Sequence, residues 1–324
     1  MEAPLNASLI FLLGGIPELG HDQTVLAFPL CLLYIIALFG NCTILAIIKK
    51  EQSLHQPMYL LLAMLAFTDF GVSLTTLPTV LGIFCFNYNQ IPFDTCFTQM
   101  YFLHALAAME SGVLVAMAID RLIAIWNPLR YASILTRSVI GKIGLGILLR
   151  SIFVVLPVPL LTKRFPFCKS HVLSHSYCLH QDIIRLACAD IKVNSIYGLV
   201  AVLMTKGVDS MFIIVSYMMI LKAVLSITAN EARLKAFNTC VCHLCAVFLF
   251  YIPLIGLSVV HRFGKKASHL IPILMADIYL LVPPVINPVI YSVKTKLIRQ
   301  KIVKVFRFSM TKRSPGIGVS AVTM

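Results

Sequence analysis

The hydrophobic pattern of the chain consists of long apolar runs separated by short polar stretches. Residues 23–48, 70–93 and 236–261 contain no Asp, Glu, Lys or Arg. Four further runs carry only one or two charges each: 96–119, 139–161, 197–221 and 271–293. A helix needs about 20 mainly apolar residues to cross a bilayer. The pattern predicts an all-α membrane protein with a seven-transmembrane helix bundle, whose spans are approximately 25–48, 58–84, 96–126, 139–161, 197–225, 236–261 and 271–292.

Composition and charge agree with a membrane protein and predict its orientation. Hydrophobic residues make up 59% of the chain and charged residues 12%, whereas soluble domains are about one quarter charged. Most lysines and arginines outside the spans lie on the side of the C-terminal tail, which places that side in the cytoplasm. The net charge of +14 is therefore explained by topology and by attraction to the anionic inner leaflet, without nucleic-acid binding.

The segments outside the spans follow from this orientation. Residues 1–24 are predicted to be extracellular and contain a glycosylation sequon at Asn6. The outer loop 162–196 is too long for a passive connector and is predicted to fold over the mouth of the bundle. Residues 293–308 place one apolar face among cations, which indicates a short amphipathic eighth helix on the membrane surface. Residues 309–324 are predicted to be a disordered cytoplasmic tail.

Four cysteines fall on the outer side, where oxidation to disulfides is permitted. They are Cys96, Cys168, Cys178 and Cys188. Four cysteines allow three pairings, and the residues alone leave all three open.

Ionisable residues at membrane depth are candidate functional groups because their burial is costly. Asp69 and Glu110, in the second and third spans, could hold a cation such as sodium, or could form a protonated, hydrogen-bonded pair. Lys206 and Asp209 share one helical face. They could neutralise each other, or Lys206 could offer its charge to a group in the bundle cavity.

Two further charges within the spans, Arg150 and Asp277, have no evident partner in the sequence. They stay without an assigned role.

A candidate ligand site follows from the sixth and third spans. Tyr251, Ile255, Ser258 and Arg262 recur at helical spacing on the sixth, and His104 and Ser111 do so on the third. An arginine is a forked, permanently charged donor that suits a carboxylate. Apolar residues could accommodate an alkyl tail, among them Val155, Val158 and Ile255.

Motifs in chain order resemble a known family. They are "LHQPMYLLLAMLAFTD" at 54–69, "MAIDRLIAIWNPLRY" at 117–131, "SY" at 216–217, "KAFNTCVCH" at 235–243 and "PPVINPVIYSVKTK" at 283–296. Together they resemble vertebrate olfactory receptors, which are rhodopsin-like G-protein-coupled receptors. "HRFG" at 261–264 and "SHSYCLHQD" at 174–182 are similar to the class I, fish-like branch. The resemblance implies a plasma-membrane receptor that binds a small odorant, activates a stimulatory G protein and raises cAMP.

The resemblance also implies roles for matching residues. Asp120 and Arg121 would form the cytoplasmic ionic lock. Other activation residues would be Asn287 and Pro288 with Tyr291 at the hinge of the seventh helix, and the rearranging tyrosines Tyr217 and Tyr251. The implied disulfides are Cys96–Cys178 and Cys168–Cys188, which would hold His180 and Gln181 over the cavity. Asp69 and Glu110 match the family's sodium site, and sodium is the one candidate cofactor.

Class I receptors often take organic acids through these positions, so the resemblance favours a carboxylic-acid ligand anchored by Arg262. The departures at Ile119 and Leu122, where the family usually has tyrosines, leave basal activity open.

Competing interpretations differ in what the charges do. In a receptor for neutral odorants, Arg262 would only stabilise the outer loop. An ion-coupled transporter could use the intramembrane carboxylates, although the chain has no internal repeat. A retinal pump would need a lysine deep in the last span, whereas Lys294 lies at its cytoplasmic end. Motifs of enzymatic catalysis are absent from the sequence.

Overall fold

The computed structural model describes residues 10–15, 25–168, 171–263, 270–294 and 297–303, without the side chains of 232, 235, 239, 258–263, 270, 272 and 294. Seven helices in these ranges are long and apolar enough to cross a membrane. They are α1 (Ala27–Lys50), α2 (Pro57–Phe86), α3 (Phe93–Trp126), α4 (Arg137–Thr162), α5 (Lys192–Leu225), α6 (Asn230–Phe263) and α7 (Leu270–Lys294). The seven-helix prediction is confirmed.

Local sequence signals explain several helix ends. Pro57 occupies the first turn of α2, where a missing backbone N–H costs nothing. Asn87 ends the same helix in the left-handed conformation, at φ 50°. Thr136 caps α4, since its side chain accepts a hydrogen bond from the backbone N–H of Val139 at 3.3 Å. The helix ends at Pro57, Phe86 and Arg137 lie within one or two residues of the predicted span boundaries.

Two helices extend further than their apolar runs. α5 begins at Lys192 rather than at residue 197, and α6 begins at Asn230 rather than at residue 236. The polar extensions lie outside the apolar windows from which the spans were predicted, so hydropathy alone could not reveal them. α5 also contains a π-helical turn at Leu203–Gly207, and such turns are frequent at functional sites.

α3 is the most deeply buried of the seven helices and forms the centre of the bundle. It packs against α2, α4, α5 and α6. A central cluster of apolar side chains from α1, α2, α3 and α6 forms the largest part of the core, with Leu65, Leu114 and Phe250 almost fully buried.

A small sheet that the sequence did not predict covers the outer end. Its strands are β1 (Ile10–Leu13), β2 (Gln90–Pro92) and β3 (Val172–Leu173). β1 lies in the middle, antiparallel to β2 and parallel to β3. Phe11 is fully buried and its ring packs against Phe93 and Phe167.

The outer loop folds over the bundle, as its length predicts. Disulfides join Cys96 to Cys178 and Cys168 to Cys188, with Cα–Cα distances of 5.5 and 5.9 Å. These are the two pairings that the resemblance implies. A short helix, His180–Arg185, follows the first disulfide and lies at the cavity.

The cytoplasmic end carries a surface helix, of which residues 297–303 are described. Ile298 is fully buried, and Leu297 and Ile302 pack against the central core. Lys301 Nζ lies 2.5 Å from Glu51 Oε2 after α1. The predicted continuation to residue 308, the tail 309–324 and the sequon at Asn6 lie outside the described residues.

Candidate ligand cavity and activation residues

A cavity of about 550 Å³ opens between α3, α4, α5, α6, α7 and the outer loop. Its volume lies in the range of small-molecule sites. Five residues predicted for the ligand site line it: His104, Val155, Val158, His180 and Gln181. Gln181 is exposed, and His104, Val155 and Val158 belong to helices in the bundle. The structure therefore brings together part of the predicted site in one concave space.

His180 forms a hydrogen-bonded lid over this cavity. Its Nε2 lies 3.0 Å from Asn194 Oδ1 on α5, and Asn194 Nδ2 donates to Thr162 Oγ1 on α4 at 2.8 Å. Burial lowers the pKa of His180 below its ordinary value, although the hydrogen bond to Asn194 acts in the opposite direction. His180 is therefore neutral at pH 7, and Nε2–H donates to the amide oxygen.

Gln99 on α3 fixes the loop from below. Its Oε1 accepts a hydrogen bond from the backbone N–H of Cys178 at 2.9 Å, and its Nε2 donates to Thr75 O on α2 at 2.9 Å. The roles of Gln99 and Asn194 were not predicted from the sequence, because their hydrogen-bond partners lie on other elements.

Three predicted ligand residues do not line the cavity: Ile255, Ser111 and Tyr251. Ile255 is 57% exposed and points away from the bundle, so its assignment to the alkyl pocket is wrong. Leu254 and Leu257 line the cavity instead. The face of α6 that lines the cavity is therefore displaced by one residue from the predicted face. Because the residues on both sides of this face are apolar, the sequence pattern does not show the displacement.

Ser111 and Tyr251 lie on the cytoplasmic side of the cavity and take part in a polar cluster. The Tyr251 hydroxyl lies 2.7 Å from Ser111 Oγ, which in turn lies 2.8 Å from Asp209 Oδ2. Because Ser111 is on α3, Asp209 on α5 and Tyr251 on α6, this cluster links three helices just below the cavity.

Ser258 and Arg262 belong to the last turns of α6, and their side chains lie outside the described residues. Their role in the ligand site stays a prediction.

The interpretation that Lys206 and Asp209 neutralise each other is wrong, because Asp209 pairs with a different residue. Asp209 binds Arg150 on α4 with both oxygens, at 2.6 and 2.7 Å, which also gives Arg150 the partner that the sequence did not show. Lys206 is 7% exposed, lines the cavity and forms no hydrogen bond or ion pair within the described part of the chain. It interacts at longer range with Glu110, Asp209 and His104.

Asp69 and Glu110 lie in the middle of the bundle and are almost fully buried. Asp69 Oδ2 accepts a hydrogen bond from Asn287 Nδ2 on α7 at 3.0 Å. The other carboxylate oxygen of Asp69, Glu110 Oε1 and Asn287 Oδ1 have no hydrogen-bond partner within the described ranges. Hard oxygen ligands of this kind suit a sodium ion, so the residues present fit the predicted cation.

The cytoplasmic end of α3 holds Asp120 and Arg121 in an ion pair at 2.5 Å. The Tyr131 hydroxyl, just after α3, donates a second hydrogen bond to Asp120 at 2.6 Å. Burial and this hydrogen bond to Asp120 raise the pKa of Tyr131, so it remains a donor. Tyr131 is the last residue of the motif at 117–131, and its contact with Asp120 was not predicted.

The remaining residues predicted to act in activation lie between the middle and the cytoplasmic end of the bundle. Tyr217 on α5 lies 2.7 Å from His243 Nδ1 on α6, with the two rings stacked. Asn287 contacts Asp69, and Tyr291 is buried in the central core. Pro288 lies inside α7. The Tyr217–His243 contact thus links α5 to α6, and the Asn287–Asp69 contact links α7 to α2.

Comparisons with known proteins agree with this arrangement. The family model described as "Olfactory receptor" matches residues 30–308. The chain is 56% identical to human olfactory receptor 51G2 over 93% of its own length and 96% of that protein. It is 50% identical to human olfactory receptor 51E1, covering 96% of this chain and 97% of the relative. Human olfactory receptor 51I1 is 52% identical, over 92% of this chain and 95% of the relative.

Proposed function

Because the chain belongs to the olfactory receptor family of G-protein-coupled, multi-pass plasma-membrane receptors, we propose that its odorant is a small carboxylic acid. We further propose that binding activates a stimulatory G protein and raises cAMP. Members of this family are receptors and not enzymes, so the site has to be understood as a binding site whose occupation changes the packing of the helices.

The charge of the cavity wall supports an anionic ligand. The described lining residues include two cations, Arg185 and Lys206, and no Asp or Glu. Neutral donors add to them, with His104 on α3 and Gln181 at the mouth. A buried carboxylate needs such cations and donors to offset its lost hydration.

Arg262 is proposed as the outer anchor of the carboxylate. It is eleven residues beyond Tyr251, so it lies three turns further out along α6. Ser258, one turn deeper, could donate a second hydrogen bond. Valines on α4, Val155 and Val158, offer an apolar wall for the alkyl tail. With so few ligand atoms, affinity is expected to be roughly micromolar to millimolar.

The proposed activation step moves α6. An acid bound at the outer end of α6 draws it towards α3, and the helix pivots near Pro253, which lies inside α6 and lacks a backbone donor. The Tyr251–Ser111 contact, one turn below the cavity, lies between these same helices and transmits the shift. The cytoplasmic part of α6 then swings outward and Arg121 leaves Asp120 to engage the G protein.

A sodium ion is proposed to stabilise the inactive packing. Asp69, Glu110 and Asn287 would hold it with the oxygens that have no partner in the described part of the structure. The ion would supply positive charge between α2, α3 and α7, which favours the resting arrangement of these helices.

The test uses straight-chain acids and their methyl esters, with cAMP as the readout. Cells express wild type, Arg262→Ala and Arg262→Lys, and surface receptor is counted in each. We expect the acids to activate wild type, the esters to be inactive, and Arg262→Ala to weaken the acid response by roughly 10- to 100-fold. Arg262→Lys should weaken it less because the charge remains.

Equal responses to acid and ester, or an unaffected Arg262→Ala, would contradict the proposal. Either result would favour a receptor for neutral odorants, in which Arg262 only stabilises the outer loop.

A further inference from the structure

Lys206 is a cation that the fold places in the cavity without a hydrogen bond or ion pair to any other residue that the structure describes. The side chain is 7% exposed and lines the cavity next to Thr205. The carboxylate nearest in sequence, Asp209, is already bound by both oxygens to Arg150 and lies 2.8 Å from Ser111. Asp209 therefore pairs with Arg150 on α4 and not with Lys206.

The helix that carries Lys206 is locally modified at this position. Lys206 belongs to the π-helical turn Leu203–Gly207, between two regular segments of α5. A π turn inserts one extra residue and rotates the following side chains relative to a regular helix. Thr205 and Lys206, within this turn, are both lining residues.

Glu110 is the remaining candidate counter-charge, but the described structure shows no hydrogen bond or ion pair between it and Lys206. The two side chains interact at long range, and Glu110 Oε1 is buried without a hydrogen-bond partner within the described ranges. The ammonium group of Lys206 has three N–H donors. Burying such donors without acceptors is costly, so a ligand that brings an acceptor to this end of the cavity gains affinity.

We propose that Lys206 is a second, inner anchor, and that the preferred ligand is an α,ω-dicarboxylic acid. The inference rests on the proposed function, because the outer carboxylate is assigned to the Arg262 end. The inner carboxylate accepts hydrogen bonds from Lys206, with the alkyl chain between the two ends along the apolar wall.

The depth of the two anchors sets the length of the ligand. Asp209 and Tyr251 both contact Ser111 and therefore lie at about the same depth. Arg262 is eleven residues outward from Tyr251, or about 16.5 Å, and Lys206 is three residues outward from Asp209, or about 4.5 Å. The Cα atoms of the anchors are then about 12 Å apart in depth. Two long side chains shorten this gap, which favours diacids of medium chain length.

The experiment compares heptanoic acid with heptanedioic acid, and shorter and longer pairs with equal carbon numbers. Receptors are wild type, Lys206→Met, Lys206→Arg and the control Lys192→Met, whose lysine is 83% exposed at the start of α5. Potency is measured by cAMP, and surface receptor by an impermeant antibody to an N-terminal tag. The same panel includes Arg262→Ala.

We expect diacids to be more potent than monoacids on wild type. Lys206→Met should weaken the diacid roughly 10- to 100-fold and change the monoacid by less than about threefold. Lys206→Arg should retain the preference, and Lys192→Met should match wild type. Surface counts distinguish these shifts from a folding defect.

Three results would overturn the inference. If Lys206→Met shifts both acids equally, Lys206 acts as the internal counter-ion of Glu110. If it shifts neither, the charge has no ligand role. If wild type responds to the monoacid through Arg262 but gains nothing from the diacid, the inner anchor fails while the proposed function stands. Silence towards all acids, with responses to their esters, would instead remove the proposed function itself.

Discussion

At the outer half of α3, His104 faces a cavity of about 550 Å³, and its Nε2 has no partner within the described residues. At the cytoplasmic end of the same helix, Asp120 is held by Arg121 at 2.5 Å and by Tyr131 at 2.6 Å. The outer half thus keeps polar groups whose hydrogen bonds a ligand can complete. The cytoplasmic half keeps a closed network, which opens on activation in the proposed mechanism.

This difference favours ligand recognition in the outer half and restraint of the resting state in the cytoplasmic half. Buried donors without partners cost free energy, and the ligand recovers part of it on binding. Paired groups at the cytoplasmic end stabilise the resting state, so their removal should raise activity without ligand. Mutations in the outer half are therefore expected to reduce the response to ligand, and mutations in the cytoplasmic half to raise the basal signal.

We expect the largest effect from loss of the outer disulfide. Cys178→Ser should remove the Cys96–Cys178 bridge that holds the loop beside the cavity, at a cost of about 2–5 kcal/mol. We expect loss of surface receptor and of the agonist response. Cys42→Ser, at an exposed free cysteine of α1, is the matched control. Normal surface levels and potency in Cys178→Ser would show that the lid does not depend on the bridge.

The ion pair below the cavity should have the next largest effect. Asp209→Asn leaves Arg150 without its carboxylate, and we expect a loss of about 2 kcal/mol. This lies below the 3–5 kcal/mol typical of fully buried pairs, because the Arg150 side chain is 32% exposed. The melting temperature of purified receptor measures it.

The double variant Asp209→Leu/Arg150→Met should recover part of the stability lost in Asp209→Asn. If the single and double variants melt at the temperature of wild type, the pair does not stabilise the bundle.

At the cytoplasmic end, Tyr131→Phe removes one hydrogen bond from Asp120. We expect the Asp120–Arg121 pair to open more readily, by about 1 kcal/mol, and basal cAMP to rise roughly fivefold per surface receptor. Tyr88→Phe, at an exposed tyrosine on the outer side, serves as the control. A basal signal equal to that of wild type would mean that Tyr131 does not restrain Arg121.

The smallest expected effect is a pH dependence of the lid. The pKa of His180 is lowered by burial, so below about pH 6.5 the unfolded chain binds a proton that the folded lid does not. Stability should therefore fall as the pH drops from about 7 to 5.5, by at most about 1 kcal/mol. His180→Gln cannot titrate, and its melting temperature should change less over this range. His104 on α3 faces the same cavity and is unchanged in both proteins, so an equal pH dependence would exclude His180 as its source.

The sequence predicted the helices and much of the cavity because these depend on hydropathy and local order. Apolar windows located all seven spans to within a few residues except at the polar starts of α5 and α6. His180 and Gln181 lie two and three residues after Cys178, so the implied disulfide also predicted their position near the cavity.

Contacts between distant segments escaped the sequence. Arg150 and Asp209 are far apart in the chain and meet only because α4 and α5 pack near α3. The strand β1 forms through pairing with two separate loops. Ile255 was misplaced because a rotation of α6 by one position leaves its apolar pattern almost unchanged. The π turn at Lys206 has no sequence signal.

The most direct test is a cryo-electron microscopy structure of the receptor with its G protein and an active carboxylic acid. The account predicts ligand density in the cavity between His104 and Val155, with the carboxylate within about 3 Å of the Arg262 guanidinium. It also predicts Arg121 separated from Asp120. Density outside this cavity, or a carboxylate that contacts only apolar residues and solvent, would contradict the account.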